Sequence, residues 1–78
     1  MRRLNGPKAA RVRVGSRGRP VAVDGRPVEA VSESWLLEDR WWTDAPLRRR
    51  YWEVVTADGR SLVVFRDLDS GAWFAQND

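Results

Sequence analysis

The sequence predicts a small, mostly β domain: an N-terminal hairpin, then a three-stranded antiparallel meander, four or five strands in all, behind a flexible basic arm. Three observations carry that prediction. Asp24-Gly25 and Asp58-Gly59 each separate runs of β-branched and aromatic residues, and Asp-Gly suits hairpin turns because Gly takes positive φ at no steric cost. Residues 50–56 alternate, with Arg50, Trp52, Val54 and Thr56 on one face and Tyr51, Glu53 and Val55 on the other. No stretch carries a helical period long enough to act as the scaffold.

The elements follow in order. Residues 1–19 mix Gly, Arg and single small apolar residues, the composition of a flexible arm, with room for a short edge strand where Val12 and Val14 alternate with Arg11 and Arg13. Residues 20–78 form the domain. Pro20–Val31 reads as a hairpin turning at Asp24-Gly25, its second strand running on through Trp35 and Leu37, and Pro27 marks a sheet edge. Thr43-Asp44-Ala45-Pro46 is turn-like, and a short helical turn over Pro46–Arg50 fits behind it. Strands are expected near residues 50–57, 60–66 and 72–76, the last two separated by a longer turn over Asp67–Gly71.

A chain of 78 residues holds one domain and has little core to spend. With no Cys and no His it has neither disulfides nor the usual zinc ligands. Packing must therefore come from five Trp, two Phe and one Tyr, each ring able to bury about 150–250 Å². Trp52, Val54, Leu62, Val64 and Trp73 are the expected core, with Val55, Val63 and Phe65 as the alternatives on the opposite parity. No apolar run approaches the roughly 20 residues of a membrane span, and no apolar segment follows the positive N-terminus, so a cytoplasmic protein is expected.

The same composition excludes much chemistry. Nucleophilic triads of the Ser-His-Asp or Cys-His kind need residues this chain lacks, and its glycines fit neither a Walker loop nor a dinucleotide fingerprint. Glu33, Glu38, Asp39 and Asp44 form the one carboxylate cluster, and Arg40 and Arg48 beside them make surface ion pairs the plainer reading. The expectation is a non-enzymatic module with no catalytic residues, no cofactor and no metal.

Charge and aromatic placement point to binding. Arg2, Arg3, Lys8, Arg11, Arg13, Arg17 and Arg19 give residues 1–20 a charge of +7 without one acid, while residues 21–78 carry −4. Such an arm attracts phosphate backbones of any sequence by counterion release. Arg40, Trp41 and Trp42, then Arg48, Arg49, Arg50 and Tyr51, set guanidinium groups beside flat rings. That mixture suits a protein interface, where Trp, Tyr and Arg are favoured anchors, and equally a single strand whose bases stack on rings. In a strand, neighbours point to opposite faces, so one member of each pair, Trp41/Trp42 and Tyr51/Trp52, is expected in the core and the other at the surface.

Residues 28–76 resemble the C-terminal segment of ImuB-type proteins, the non-catalytic Y-family polymerase relatives of bacterial mutagenic translesion systems, and small standalone proteins built on that segment. The resembling pieces are Glu38-Asp39-Arg40-Trp41-Trp42, Arg48-Arg49-Arg50-Tyr51, Val54-Val55-Thr56-Ala57-Asp58-Gly59-Arg60 and Gly71-Ala72-Trp73-Phe74. The resemblance implies an adaptor in error-prone DNA repair, with an error-prone polymerase or its accessory protein as partner, and it implies no catalytic residues. The polymerase palm, fingers and thumb have no counterpart here. Ser61-Leu62-Val63-Val64-Phe65 has a passing likeness to a sliding-clamp pentapeptide but falls in a predicted central strand. Two readings follow: an adaptor docking protein through Arg40–Trp42 and Arg48–Tyr51, or a nucleic-acid-binding module using the arm and the same rings.

Overall fold

Three glycine-based turns set the register of the sheet. The computed structural model describes residues 7–39, 42 and 46–76. At Asp24-Gly25 both residues take positive φ, 49° and 82°, the type I′ geometry whose twist matches that of the flanking strands. At Thr56–Gly59 the Gly59 amide donates to the Thr56 carbonyl at 2.8 Å and Gly59 itself sits at φ 83°, a type I turn closed by a left-handed glycine. The third turn ends on Gly71 at φ 78°, and the Asp67 carboxylate caps it by accepting from the Asp69 and Ser70 amides at 2.9 and 3.1 Å.

These turns join the strands of one antiparallel sheet: β1 (Lys8–Ala9), β2 (Val12–Val14), β3 (Pro20–Val23), β4 (Arg26–Asp39), β5 (Leu47–Thr56), β6 (Ser61–Asp67) and β7 (Trp73–Gln76). A 3₁₀ turn at Ser16–Gly18 links β2 to β3. The spatial order is β1-β7-β6-β5-β4-β3-β2, and the sheet is curled into a half-barrel. The mostly β, antiparallel class is as expected. The strand number is corrected from four or five to seven.

The additional strands come from the segment expected to be an arm. β1 pairs with β7 at one edge, and β2 pairs with β3 at the other. Only Ala10 and Arg11 lie between them, so one stretch of chain reaches both edges of the curled sheet. The Ala10 amide donates to the Trp73 carbonyl at 3.0 Å. On the other side the Arg11 amide donates to the Asp24 carboxylate at 2.8 Å, while the Asp24 amide donates to the Arg11 carbonyl at 2.7 Å. Open edges of β7 and β3 give residues 8–14 backbone partners that local composition does not reveal. The turn anticipated over Pro46–Arg50 is likewise strand from Leu47 onward, because β4 runs alongside it as far as Asp39↔Leu47.

Two faces are packed. The inner face holds Val23, Trp52, Val54, Val64 and Ala75, with Leu62 and Trp73 partly buried against them. Trp52 and Trp73 meet with ring centroids 5.0 Å apart. Ala10 and Val12 also cover this cluster. The outer face carries a row of rings in direct register across four strands: Trp35↔Tyr51, Tyr51↔Phe65 and Phe65↔Phe74. Trp35 stacks on Tyr51 at 5.2 Å with planes 3° apart, and Phe65 lies 4.9 Å from Tyr51 and 5.2 Å from Phe74. Each such pair contributes about 0.5–1.5 kcal/mol beyond its buried area. Tyr51 and Trp52 are therefore both buried, at 8% and 9% exposure, which corrects the expectation that one of them faces water. Among the described residues no helix is long and apolar enough to cross a membrane.

Candidate functional site

The inner face ends in a cleft of about 560 Å³, between β4, β5 and β6 on one side and the 3₁₀ turn on the other. Its apolar lining is Val31, Leu36, Trp52 and Leu68. Leu36 and Leu68 are 47% and 37% exposed, a large uncovered area for aliphatic side chains. Four guanidinium-bearing residues line the same cleft: Arg17, Arg19, Arg50 and Arg66. No Asp or Glu lines it, and none of the four arginines joins an ion pair among the described residues.

Each arginine is held there by an identifiable feature. Arg50 and Arg66 are directly opposite each other across β5 and β6. Like charges in that position repel, so the sheet tolerates the pair at a cost to its own stability. Arg50 also lies over the Trp52 ring, its guanidinium carbon 6.0 Å from the centroid, and Arg66 Nε donates to the Gly71 carbonyl at 3.4 Å. Arg17 sits in the left-handed region at φ 62°, followed by Gly18 at φ 72°. That reversal is closed by the Gly15 amide donating to the Arg19 carbonyl at 2.8 Å. Non-glycine residues seldom hold such a φ, and here it places Arg17 and Arg19 across the cleft from the sheet.

The cleft thus combines an unneutralised cationic rim with a floor of aliphatic side chains and the one ring of Trp52. Such a rim attracts anionic groups, and the exposed Leu36 and Leu68 offer apolar contact area. Its volume falls within the range of roughly 300–1,000 Å³ over which ligand clefts are found. Among the described residues no group of three carboxylates is placed to hold a metal ion.

The structure distributes the sequence candidates among the cleft, the two edge strands, the outer ring row and the β4–β5 hairpin. Of the arm set, Arg17 and Arg19 reach the cleft, Lys8, Arg11 and Arg13 are exposed on or beside the two edge strands, and Arg2 and Arg3 lie outside the described residues. Of the aromatic-basic set, Arg50 reaches the cleft and Arg48 pairs with Glu38 at 3.5 Å. Arg49 and Tyr51 belong to the outer row: Arg49 lies over Phe65, 4.4 Å from its centroid, and donates from Nη1 to the Tyr51 hydroxyl at 3.2 Å. Trp42 is 64% exposed at the β4–β5 turn, whereas Arg40 and Trp41 lie outside the described residues. The clamp-like pentapeptide is β6, paired on both sides by β5 and β7.

Arg66, Leu36 and Leu68 were missed in the sequence. Arg66 faces Arg50 because the loop at Ala57–Gly59 has three residues and pairs Thr56 with Arg60, whereas a two-residue Asp58-Gly59 turn would bring position 67 opposite position 50. Compared with protein-family models, curated proteins and solved structures, the chain finds no match.

Proposed function

We propose that this chain is a non-catalytic module that takes single-stranded nucleic acid in the arginine-lined cleft. The observation that carries the reading is the directly opposed Arg50 and Arg66, joined by Arg17 and Arg19 around exposed Leu36 and Leu68 with no carboxylate among the lining residues. A site that concentrates like charge at a cost to the fold is explained by a ligand of opposite charge. The apolar floor favours a strand whose bases are free to leave a stack. The resemblance of residues 28–76 to the C-terminal segment of ImuB-type proteins supports setting this module beside error-prone DNA repair.

A second reading, an adaptor for an error-prone polymerase or its accessory protein, is favoured by one observation. Trp42 is 64% exposed at the tip of the longest hairpin, the position and residue type of an interface anchor.

Titration of oligothymidine and of a duplex at two salt concentrations tests the first reading. Four contacts on a single strand give a slope of log K against log salt near −2.8, and Arg17→Gln, Arg50→Gln or Arg66→Gln should each flatten it by about 0.7. Trp42→Ala should leave this binding unchanged and, under the adaptor reading, abolish capture of the polymerase. Oligonucleotide binding that all three arginine variants retain would overturn the cleft proposal.

A further inference from the structure

The fourth strand has one side that nothing described covers. β4 pairs with β3 only at Arg26 and Pro27, and with β5 from Val28 to Asp39. Beyond its bulges, therefore, the side of Glu33–Glu38 turned away from β5 has no strand alongside it among the described residues. No other backbone hydrogen bond described reaches it either. An edge of this kind presents alternating unpaired N–H and C=O groups, and proteins usually blunt it with Lys, Pro or a bulge. Here the bulges lie at its start, between Val28 and Ala30 and between Val31 and Glu33. From Glu33 to Glu38 there is no Pro and no basic residue. Instead Trp35 and Leu36 stand 39% and 47% exposed, on the outer and inner faces respectively.

The charge beside this edge is also unbalanced. Glu33 is directly opposite Glu53, a like-charge cross-strand pair. Neither carboxylate joins an ion pair among the described residues. Self-pairing of two such edges would bring two acidic strands together, which disfavours a second copy of this chain as the occupant. A strand alternating basic and apolar residues answers both features. Because successive side chains point to opposite faces, its basic residues would meet Glu33 on the outer face, beside the like charge of Glu53, while its apolar residues cover Leu36 on the inner one.

We propose that the free edge of β4, from Glu33 to Glu38, docks an extended basic-apolar segment of a partner protein by strand addition. This goes beyond the cleft reading and uses neither Trp42 nor the cleft arginines, although the docked strand would share exposed Leu36 with the cleft.

The test is amide hydrogen exchange on the full chain with two short synthetic peptides, one alternating lysine with valine and one alternating glutamate with valine. The lysine-valine peptide should slow exchange at every second amide between Glu33 and Glu38, and the glutamate-valine peptide should not. Glu33→Lys, which can pair with Glu53 and so keeps the fold, should weaken the effect roughly tenfold. Arg50→Gln should leave it intact while weakening oligonucleotide binding, which separates this proposal from the cleft. Absent or non-alternating protection overturns it, as does equal protection by the glutamate-valine peptide. Protection that appears without peptide and grows with protein concentration would assign the edge to a second copy and also overturn it.

Discussion

Replacing Arg50 by Glu should stabilise the fold while it weakens ligand binding. Arg50 faces Arg66 directly, with Arg48 two residues away on the same side of β5. Arg50→Glu removes one like-charge pair and creates one opposite pair, each step worth about 0.2–1 kcal/mol. Against this stands the loss of the Arg50 contact with the Trp52 ring, at 6.0 Å near the limit of cation–π range and worth about 0.5 kcal/mol at an exposed site. The net gain is about 0.5–1 kcal/mol, or roughly 2–8 °C in Tm for a domain of this size. Arg50→Gln, which relieves repulsion without adding attraction, should melt close to the parent. Thermal denaturation followed by circular dichroism, with oligothymidine titration of the same samples, reads both effects. A variant that melts well below the parent and still binds would refute the reasoning, because Arg50 would then stabilise the fold rather than serve a ligand.

Three further outcomes follow from the packing. Trp52→Ala removes the ring at the centre of the inner face and should cost about 3–5 kcal/mol, enough to leave the chain largely unfolded at 25 °C by circular dichroism. Deleting residues 1–14 strips Ala10 and Val12 from the core and both edge strands from the sheet, so Tm should fall by at least about 4 °C. Acid should loosen the turns: the hydrogen bond from the Thr56 hydroxyl holds the Asp58 carboxyl below its usual value, and the Ser70 and Asp69 amides do the same for Asp67. Depressed carboxyls stabilise above the unfolded value, about 3.9, and lose that contribution as pH falls through their lower folded values. These turns should therefore be insensitive to pH from 7 to 5 and weaken below about pH 4. In Thr56→Val the Asp58 carboxyl should titrate closer to 3.9 by carbon-detected NMR.

The sequence revealed local pattern well and tertiary pairing poorly. The β5–β6–β7 meander, the turns at Asp24-Gly25 and Asp58-Gly59 and the facing of Arg50, Trp52, Val54 and Thr56 were legible because strand parity and positive-φ glycine are local properties. β4 was legible as one long strand, but its facing was not. Val28, Val31 and Ser34 lie opposite Thr56, Val54 and Trp52 on the inner face, a spacing of three created by two bulges that shift the period. Lys8–Ala9 was invisible as a strand because it is short and gains its partner only when β7 offers an open edge. Tyr51 is buried for a similar reason, since the rings that cover it arrive from β4 and β6. The cleft was half legible. Arg17, Arg19 and Arg50 were each candidates for a binding role, but the left-handed turn at Arg17 and the β5–β6 register bring them together with Arg66.

Whether and where a nucleic acid touches this protein is the most direct test of the cleft. Backbone and arginine side-chain NMR shifts followed during titration with oligothymidine give that location directly. Binding in the cleft should give the largest changes at Arg17, Leu36, Arg50, Arg66 and Leu68, with Arg49 and the outer ring row unmoved. Changes confined to Lys8, Arg11 and Arg13, or to Trp42, would contradict it.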